Sequence, residues 1–121
     1  MLDHVTIGVG DIARSIAFYD RALRPLGITR LYAEGETFAG YGRNRKAFFW
    51  IGHRDAAQTG AHVAFVADDR ASVDLFHREA LAAGGHDNGP PGFRPHYHAN
   101  YYGAFILDPD GHNIEAVCYV P

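Results

Sequence analysis

Two segments of the chain carry apolar residues at the spacing of an amphipathic helix. In the first segment, Ile12, Ile16, Tyr19 and Leu23 recur at intervals of three and four residues. The β-rich stretch 2–9 precedes them, and an apolar stripe of this kind packs against a sheet. The start of the chain therefore predicts a strand followed by a helix that covers it.

The same order recurs in the second half of the chain. Residues 61–67 form another β-rich stretch, and apolar residues line one side of the helix predicted after it. Asp11 stands where its carboxylate can cap the free amides of the first helix, and Asp68 or Asp69 stands in that place before the second. Glycines follow both segments and predict where the helices end. The inner side of the second helix is predicted to hold Val73, Phe76, Ala80 and Leu81.

Short β-rich stretches separated by turn residues follow each helix. Residues 108–111 read Asp-Pro-Asp-Gly, in which proline presets φ and glycine accepts a positive φ, so the last two strands are predicted to form a hairpin. Residues 89–100 hold three prolines and are predicted to be a long, irregular loop. The strands are predicted near 29–33, 37–41, 47–51, 86–88, 101–107 and 113–120.

The two halves are copies of one unit. Superimposing His4 on His62 also aligns several apolar and glycine positions of the two helices. The chain therefore predicts two βαβββ units, residues 1–53 and 60–121, within a single domain, since 121 residues can bury one hydrophobic core. The aligned pairs include Val5 with Val63, Asp11 with Asp69, Phe18 with Phe76 and Gly27 with Gly85.

Three polar residues share one surface of the predicted sheets. Side chains alternate faces along a strand, and the bulky aliphatic residues take the face toward the helices. By this alternation His4, His62 and Glu115 take the opposite face, together with Asn113. Two imidazoles and one carboxylate suit a divalent metal with about half of its octahedral shell open to a substrate. Each residue taken alone is more often structural, so the hypothesis depends on their combination.

Nearly the whole chain resembles the vicinal oxygen chelate superfamily, through Leu2-Asp3-His4-Val5, Ser15-x-x-Phe18-Tyr19 and residues 108–115. That superfamily includes glyoxalase I, fosfomycin- and bleomycin-resistance proteins, methylmalonyl-CoA epimerase and extradiol dioxygenases. The resemblance implies an α+β fold whose tandem βαβββ units form a strongly curved, open, barrel-like mixed sheet, with the helices on its convex side. It also implies one divalent metal ion (Fe, Mn, Ni, Co or Zn) inside the cup.

The expected ligand set departs from one branch of that superfamily. The glyoxalase pattern has a second carboxylate on the fourth strand, whereas residues 47–52 contain no acid. Phe48 and Trp50 stand there instead, and they predict an apolar, aromatic substrate pocket to which Asn113 also contributes. A three-ligand set is more similar to the dioxygenase and fosfomycin-type branches.

Further candidate residues lie near the predicted metal site. Tyr101 and Tyr102 point to opposite faces, so one of them faces the cup and could donate to, or deprotonate, a metal-bound substrate. An aromatic lining is the alternative reading of this tyrosine. His98 lies in the long loop and is a candidate general base or lid residue, although loop histidines are more often inert.

Two functions from different classes follow from these residues. The first is a divalent-metal-dependent enzyme of the glyoxalase or dioxygenase type, acting on a small, partly apolar substrate chelated through vicinal oxygens. The alternative is a non-catalytic, bleomycin-resistance-like protein whose aromatic cup sequesters an aromatic small molecule. Bound metal distinguishes the two.

Composition limits which kinds of partner the protein is expected to bind and where in the cell it is expected to be. A net charge of −3 offers no basic footprint for nucleic acid. No apolar run is long enough to cross a membrane, and the start of the chain lacks the pattern of a signal peptide. Cys118 is the only cysteine, so no internal disulfide can form. We therefore expect a cytoplasmic protein that binds a small molecule and forms a homodimer, because the edges of its sheets need covering.

Overall fold

The computed structural model describes residues 1–56 and 58–121, where two α-helices and eight strands follow in the predicted order. A 3-10 turn, Arg24–Leu26, extends the first helix. The first unit comprises β1 (Val5–Val9), α1 (Ile12–Ala22), β2 (Thr29–Glu34), β3 (Phe38–Arg43) and β4 (Lys46–His53). The second comprises β5 (His62–Val66), α2 (Arg70–Ala82), β6 (His86–Phe93), β7 (Tyr102–Leu107) and β8 (Asn113–Cys118).

Each unit forms its own four-stranded mixed sheet. The strand orders are β1-β4-β3-β2 and β5-β8-β7-β6, which are equivalent positions in the two copies. In each sheet the first strand runs parallel to the last, while the other neighbours are antiparallel. The α+β fold with tandem βαβββ units is therefore confirmed, and the eight strands form two sheets that do not close into a barrel.

Both helices begin at the predicted caps. The side chain of Asp11 accepts a hydrogen bond from the Arg14 backbone N–H at 3.1 Å, and Asp69 accepts one from the Ser72 N–H at 2.7 Å. Each bond satisfies an amide that the first helical turn leaves without a partner. Of the two candidates for the second cap, Asp69 is thus the one used. Within the described ranges, no helix is long and apolar enough to cross a membrane.

Replacement of Asp69 by alanine is expected to lower the urea midpoint of unfolding slightly at pH 7, and the difference should disappear in acid. Hydrogen bonds from Ser72 lower the pKa of the Asp69 carboxyl below 3.8. A carboxyl whose pKa is lowered by folding stabilises the protein above its unfolded pKa, and that stabilisation is lost as pH falls through the folded value. Asp68→Ala is the control, because Asp68 is exposed and adjacent to the cap; an equal effect of both changes would contradict this role.

One hydrophobic cluster packs the helices onto the sheets and includes residues of both units. Phe49 of β4 and Phe65 of β5 meet edge to face, with ring centroids 5.2 Å apart, and α1 contacts α2. The opposite face of each sheet carries exposed side chains, including Thr6 on β1 and Val66 on β5. Each sheet therefore has a covered face toward the helices and an open face, and the open faces carry the three predicted metal ligands.

Two strand boundaries differ from the predictions by more than two residues. The segment predicted as a loop from residue 89 is part of β6 as far as Phe93, including Pro90 and Pro91. Prolines are tolerated there because β6 is an edge strand whose pairing with β7 is irregular around Gly89 and Gly92. β1 begins at Val5 rather than at residue 2, so His4 precedes the strand.

Candidate functional site

His62 and Glu115 meet on the open face of the second sheet. His62 begins β5 and pairs with Asn113 of β8, two residues before Glu115. His62 Nε2 lies 2.9 Å from Glu115 Oε1. The Glu115 side chain is only 2% exposed, whereas that of His62 is 52% exposed. A buried carboxylate oxygen and an accessible imidazole nitrogen are therefore in direct contact, and both are atom types that bind divalent metals.

Tyr101 is the tyrosine that belongs to this face. Its hydroxyl donates to Glu115 Oε2, the oxygen that His62 does not contact. Burial and then this hydrogen bond raise the pKa of Tyr101 above its usual value, so the phenol stays protonated and remains a donor. The second carboxylate oxygen is thereby held, and Oε1 remains directed toward His62.

Tyr102, the other tyrosine predicted as a catalytic candidate, lies on the opposite face of the sheet. Its hydroxyl donates to Asp74 Oδ1 of α2 at 2.6 Å. The alternation that directs Tyr101 to Glu115 necessarily directs Tyr102 to the helix. The pairing of Tyr102 with Cys118 supplies the register that could not be assigned from the sequence.

His4 lies apart from this pair within the chain. Its Nδ1 is 2.7 Å from Asp3 Oδ1, and its side chain is 54% exposed. It lines a pocket of about 400 Å³ on the open face of the first sheet, together with Thr6 and Trp50. Across residues 1–56 and 58–121, no three His, Cys, Asp or Glu side chains are close enough together to hold a metal ion. The structure thus joins two of the three predicted ligands.

The two predicted aromatic pocket residues line different pockets. The Trp50 ring lies beside His4, where it stacks on Tyr32 at 5.7 Å and contacts Phe38 edge to face at 5.9 Å. Phe48 instead lines a groove with residues of β1 and β5 and packs partly into the core. The aromatic surface on the first sheet therefore consists of Tyr32, Phe38 and Trp50.

His98 connects to the His62 and Glu115 pair through other aromatic side chains. Its Nδ1 accepts a hydrogen bond from the Asn100 N–H at 3.0 Å. Its ring meets Tyr119 at 5.4 Å, and Tyr119 in turn meets Tyr101 at 5.3 Å. These contacts make His98 part of the wall around Tyr101.

A buried polar network behind the site was not predicted. His112 Nε2 donates to the Gly8 carbonyl at 2.8 Å, and its Nδ1 accepts from the Ala61 N–H at 3.1 Å. Asp108 accepts hydrogen bonds from the Tyr19 hydroxyl and from the His112 N–H. Since Ala61 immediately precedes His62, this network links β1 of the first unit to the start of β5. The sequence signal was the segment 108–115, which was interpreted as a turn and as part of the family resemblance but not as a source of buried hydrogen bonds.

Arg94 and Asn113 form a second polar group on the same face. Both line a pocket of about 320 Å³ with Phe105, whose ring is 6.2 Å from that of His62. Asn113 was predicted as a pocket residue, and Arg94 was not. The sequence signal for Arg94 was its position in the proline-rich segment 89–100, in which His98 was predicted as the functional residue.

Comparisons with known proteins agree with this architecture. The family model of the Glyoxalase/Bleomycin resistance protein/Dioxygenase superfamily matches residues 1–116. A glyoxalase/bleomycin resistance protein from Albidiferax ferrireducens T118 is 31% identical, with a TM-score of 0.82 and 98% of each chain covered. The comparison with curated proteins gives no significant match.

A more distant neighbour is the fosfomycin resistance protein FosX from Listeria monocytogenes. It is 20% identical, with a TM-score of 0.72, and the alignment covers 99% of this chain and 93% of FosX. A FosX mutant has a crystal structure in complex with Mn(II) and 1S,2S-dihydroxypropylphosphonic acid. At this identity the likeness shows a shared fold.

Proposed function

Since the chain belongs to the Glyoxalase/Bleomycin resistance protein/Dioxygenase superfamily, we propose that it is a divalent-metal-dependent enzyme acting on a small substrate chelated through vicinal oxygens. His62 and Glu115 of one chain and His4 of a second copy would hold the metal. The observation that carries this proposal is the placement of a buried carboxylate oxygen 2.9 Å from an accessible imidazole nitrogen. Imidazole and carboxylate are the donor types that Fe, Mn, Ni, Co and Zn share.

A second copy is part of the proposal because His4 and the His62 and Glu115 pair lie on different sheets. In a two-fold dimer, the first sheet of each chain can face the second sheet of the other, which creates two equal sites. Both open faces expose large apolar side chains that such an arrangement would cover. These are Tyr32 (55% exposed) on the first sheet, and Val66 (62%) and Tyr119 (46%) at the second.

The bound ion would act as a Lewis acid that stabilises an oxyanion, or would activate dioxygen if it is iron. Residues of the chain orient the proposed ligands before an ion binds. Tyr101 holds Glu115 Oε2, which orients Oε1 toward the His62 nitrogen. The Phe105 ring lies on one side of His62, and the Tyr119 ring lies beside Tyr101, so aromatic side chains border the proposed metal position.

A mixing experiment tests whether the site is shared between chains. His4→Ala and His62→Ala homodimers should both bind metal poorly. In a heterodimer of the two variants, one site loses both histidines and the other keeps all three ligands, so about one metal per dimer should return. Tagged heterodimers and elemental analysis provide the measurement. A site built within one chain would show no recovery, and a monomer in sedimentation equilibrium would contradict the shared site directly.

Tyr101→Phe is expected to weaken metal binding by about tenfold, less than the loss of a ligand. Groups that hydrogen-bond to a ligating carboxylate typically contribute 10- to 100-fold to metal affinity. Tyr102→Phe is the matched control, because its hydroxyl bonds to α2 on the opposite face. Competition with a chromogenic chelator measures both affinities; equal effects of the two changes would remove the assigned role of Tyr101.

A second candidate function is the sequestration of an aromatic molecule without catalysis. The stacked Tyr32 and Trp50 rings and the adjacent Phe38 favour it, since an exposed aromatic surface binds flat apolar ligands. This function predicts quenching of the single tryptophan by an aromatic ligand in protein that holds no metal. Metal-dependent turnover, or ligand binding that requires metal, favours the enzyme.

A further inference from the structure

A second polar pocket adjoins the His62 and Glu115 pair on the open face of the second sheet. Phe105 connects the two, because its backbone pairs with Glu115 and its ring lies 6.2 Å from the His62 ring. Asn113, which pairs with His62, also lines the pocket. The pocket is lined by Asn88, Gly89, Arg94, Tyr97, Phe105 and Asn113.

The guanidinium of Arg94 is held in one position in this pocket. Its Nη1 donates to the Gly92 carbonyl and its Nη2 to the Pro90 carbonyl, each at 2.8 Å. Its Cζ lies 5.4 Å from the centroid of the Phe105 ring, which is cation–π distance. A guanidinium has five N–H donors, so these two bonds leave donors available. Among the described residues, Arg94 has no carboxylate partner.

Gly89 makes room for this arrangement. It has a φ of +152°, and a Cβ there would lie 2.9 Å from the Phe105 ring and 3.2 Å from Arg94 Nη2. Any side chain at this position would therefore push the ring or the guanidinium aside. The irregular pairing of β6 around Gly89 and the two prolines that follow it thus place a cation over Phe105.

Asn113 supplies a second polar group without a partner. Its Oδ1 is buried and makes no hydrogen bond to any residue in the described part of the chain. Burial of an unpaired amide group is unfavourable, so a ligand that bonds to this amide would gain free energy. Rotation of the amide exchanges its oxygen for its N–H₂ group, which can donate to an anion.

We propose that Arg94, with Asn113 beside it, binds a carboxylate of the ligand, so that the protein takes small, singly charged carboxylates whose apolar part can contact Tyr97 and Phe105 of the same pocket. A guanidinium and a carboxylate match in planar geometry, and one cation balances one negative charge. A dianion would place a second charge near the buried Glu115 without a second cation, because Arg94 is the only cationic residue among the described residues that line the pocket. The inference rests on the proposed function only in placing the ligand's remaining oxygens at His62 and Glu115.

Binding of phenylacetate to metal-stripped protein tests this inference independently of the metal. Wild-type protein should bind phenylacetate at least about tenfold more tightly than phenylacetamide, its neutral counterpart, in titration by NMR. Arg94→Met should weaken phenylacetate binding by about tenfold or more, since a charge-assisted hydrogen bond is removed, and should leave phenylacetamide unchanged. The phenylacetate affinity of Arg94→Lys should lie between those of wild type and Arg94→Met, because lysine keeps the positive charge but lacks the planar guanidinium.

Two further variants separate the possible explanations. Arg24→Met removes an exposed arginine on the 3-10 turn after α1 and should change nothing. His62→Ala should lose metal binding and keep phenylacetate binding to the stripped protein, so failure of the metal proposal leaves the Arg94 result intact. Equal phenylacetate affinity in wild type and Arg94→Met, absence of carboxylate binding by wild type, or tighter binding of benzylphosphonate would each overturn the inference.

Discussion

His62→Ala is expected to lower the affinity for divalent metal by at least about 100-fold, the largest effect of any single change proposed for this protein. His62 Nε2 is the accessible atom of the pair. Without it, only Glu115 and the His4 of the second copy remain of the three proposed ligands. Wild-type protein reconstituted with Fe, Mn, Ni, Co or Zn should carry close to one ion per chain by elemental analysis. The variant should carry far less under the same conditions.

His86→Ala is the matched control for this experiment. His86 begins β6 of the same sheet and is exposed, like His62, but it forms no ion pair with a carboxylate among the described residues. Its replacement should leave metal content unchanged. If wild-type protein takes up none of the five metals, or if both variants lose them equally, the metal-dependent function falls and aromatic sequestration becomes the favoured one.

Asp108→Ala is expected to lower the free energy of unfolding by about 3 kcal/mol, the largest stability effect among the polar residues. Asp108 is 2% exposed and accepts hydrogen bonds from the Tyr19 hydroxyl and from the backbone N–H groups of Asp110 and His112. Removal of the carboxylate leaves two buried donors, the Tyr19 hydroxyl and the His112 N–H, and the partly buried Asp110 N–H without their acceptor. Urea denaturation followed by circular dichroism measures the change.

Asp55→Ala provides the comparison for Asp108. The Asp55 side chain is 99% exposed, and its contact with His53 spans 3.7 Å, so its loss should alter stability very little. Tyr19→Phe should lower the free energy of unfolding by less than Asp108→Ala does. The double variant should be destabilised by less than the sum of the two single changes, because both remove the same hydrogen bond. If the two losses of unfolding free energy are additive, the hydrogen bond between Tyr19 and Asp108 does not contribute to the stabilisation by Asp108.

Much of the fold could be predicted because it depends on local signals. The caps at Asp11 and Asp69 and the apolar stripes of the helices are properties of neighbouring residues. The repeat of the whole unit then predicted that the chain forms two βαβββ units. The extent of β6 could not be predicted, because its prolines are permitted by its position at the edge of a sheet, and that position is a property of the assembled strands.

The candidate site was harder to predict for two physical reasons. The choice between Tyr101 and Tyr102 depends on the register of β7 against β8, where a slip of one residue exchanges the two faces. The distance between His4 and His62 depends on how the two sheets pack, and matched positions in two repeats do not specify that packing. The alternation of side chains along each strand did place His62 and Glu115 on the same face, as the structure has them.

The separation of His4 from the His62 and Glu115 pair has a thermodynamic consequence. An ion that engages all three side chains joins two chains, so metal occupancy and association become linked equilibria. Each must strengthen the other by the same factor. Added metal would then slow the exchange of subunits between dimers, and dilution of the protein would release the ion even while the free metal concentration is held constant.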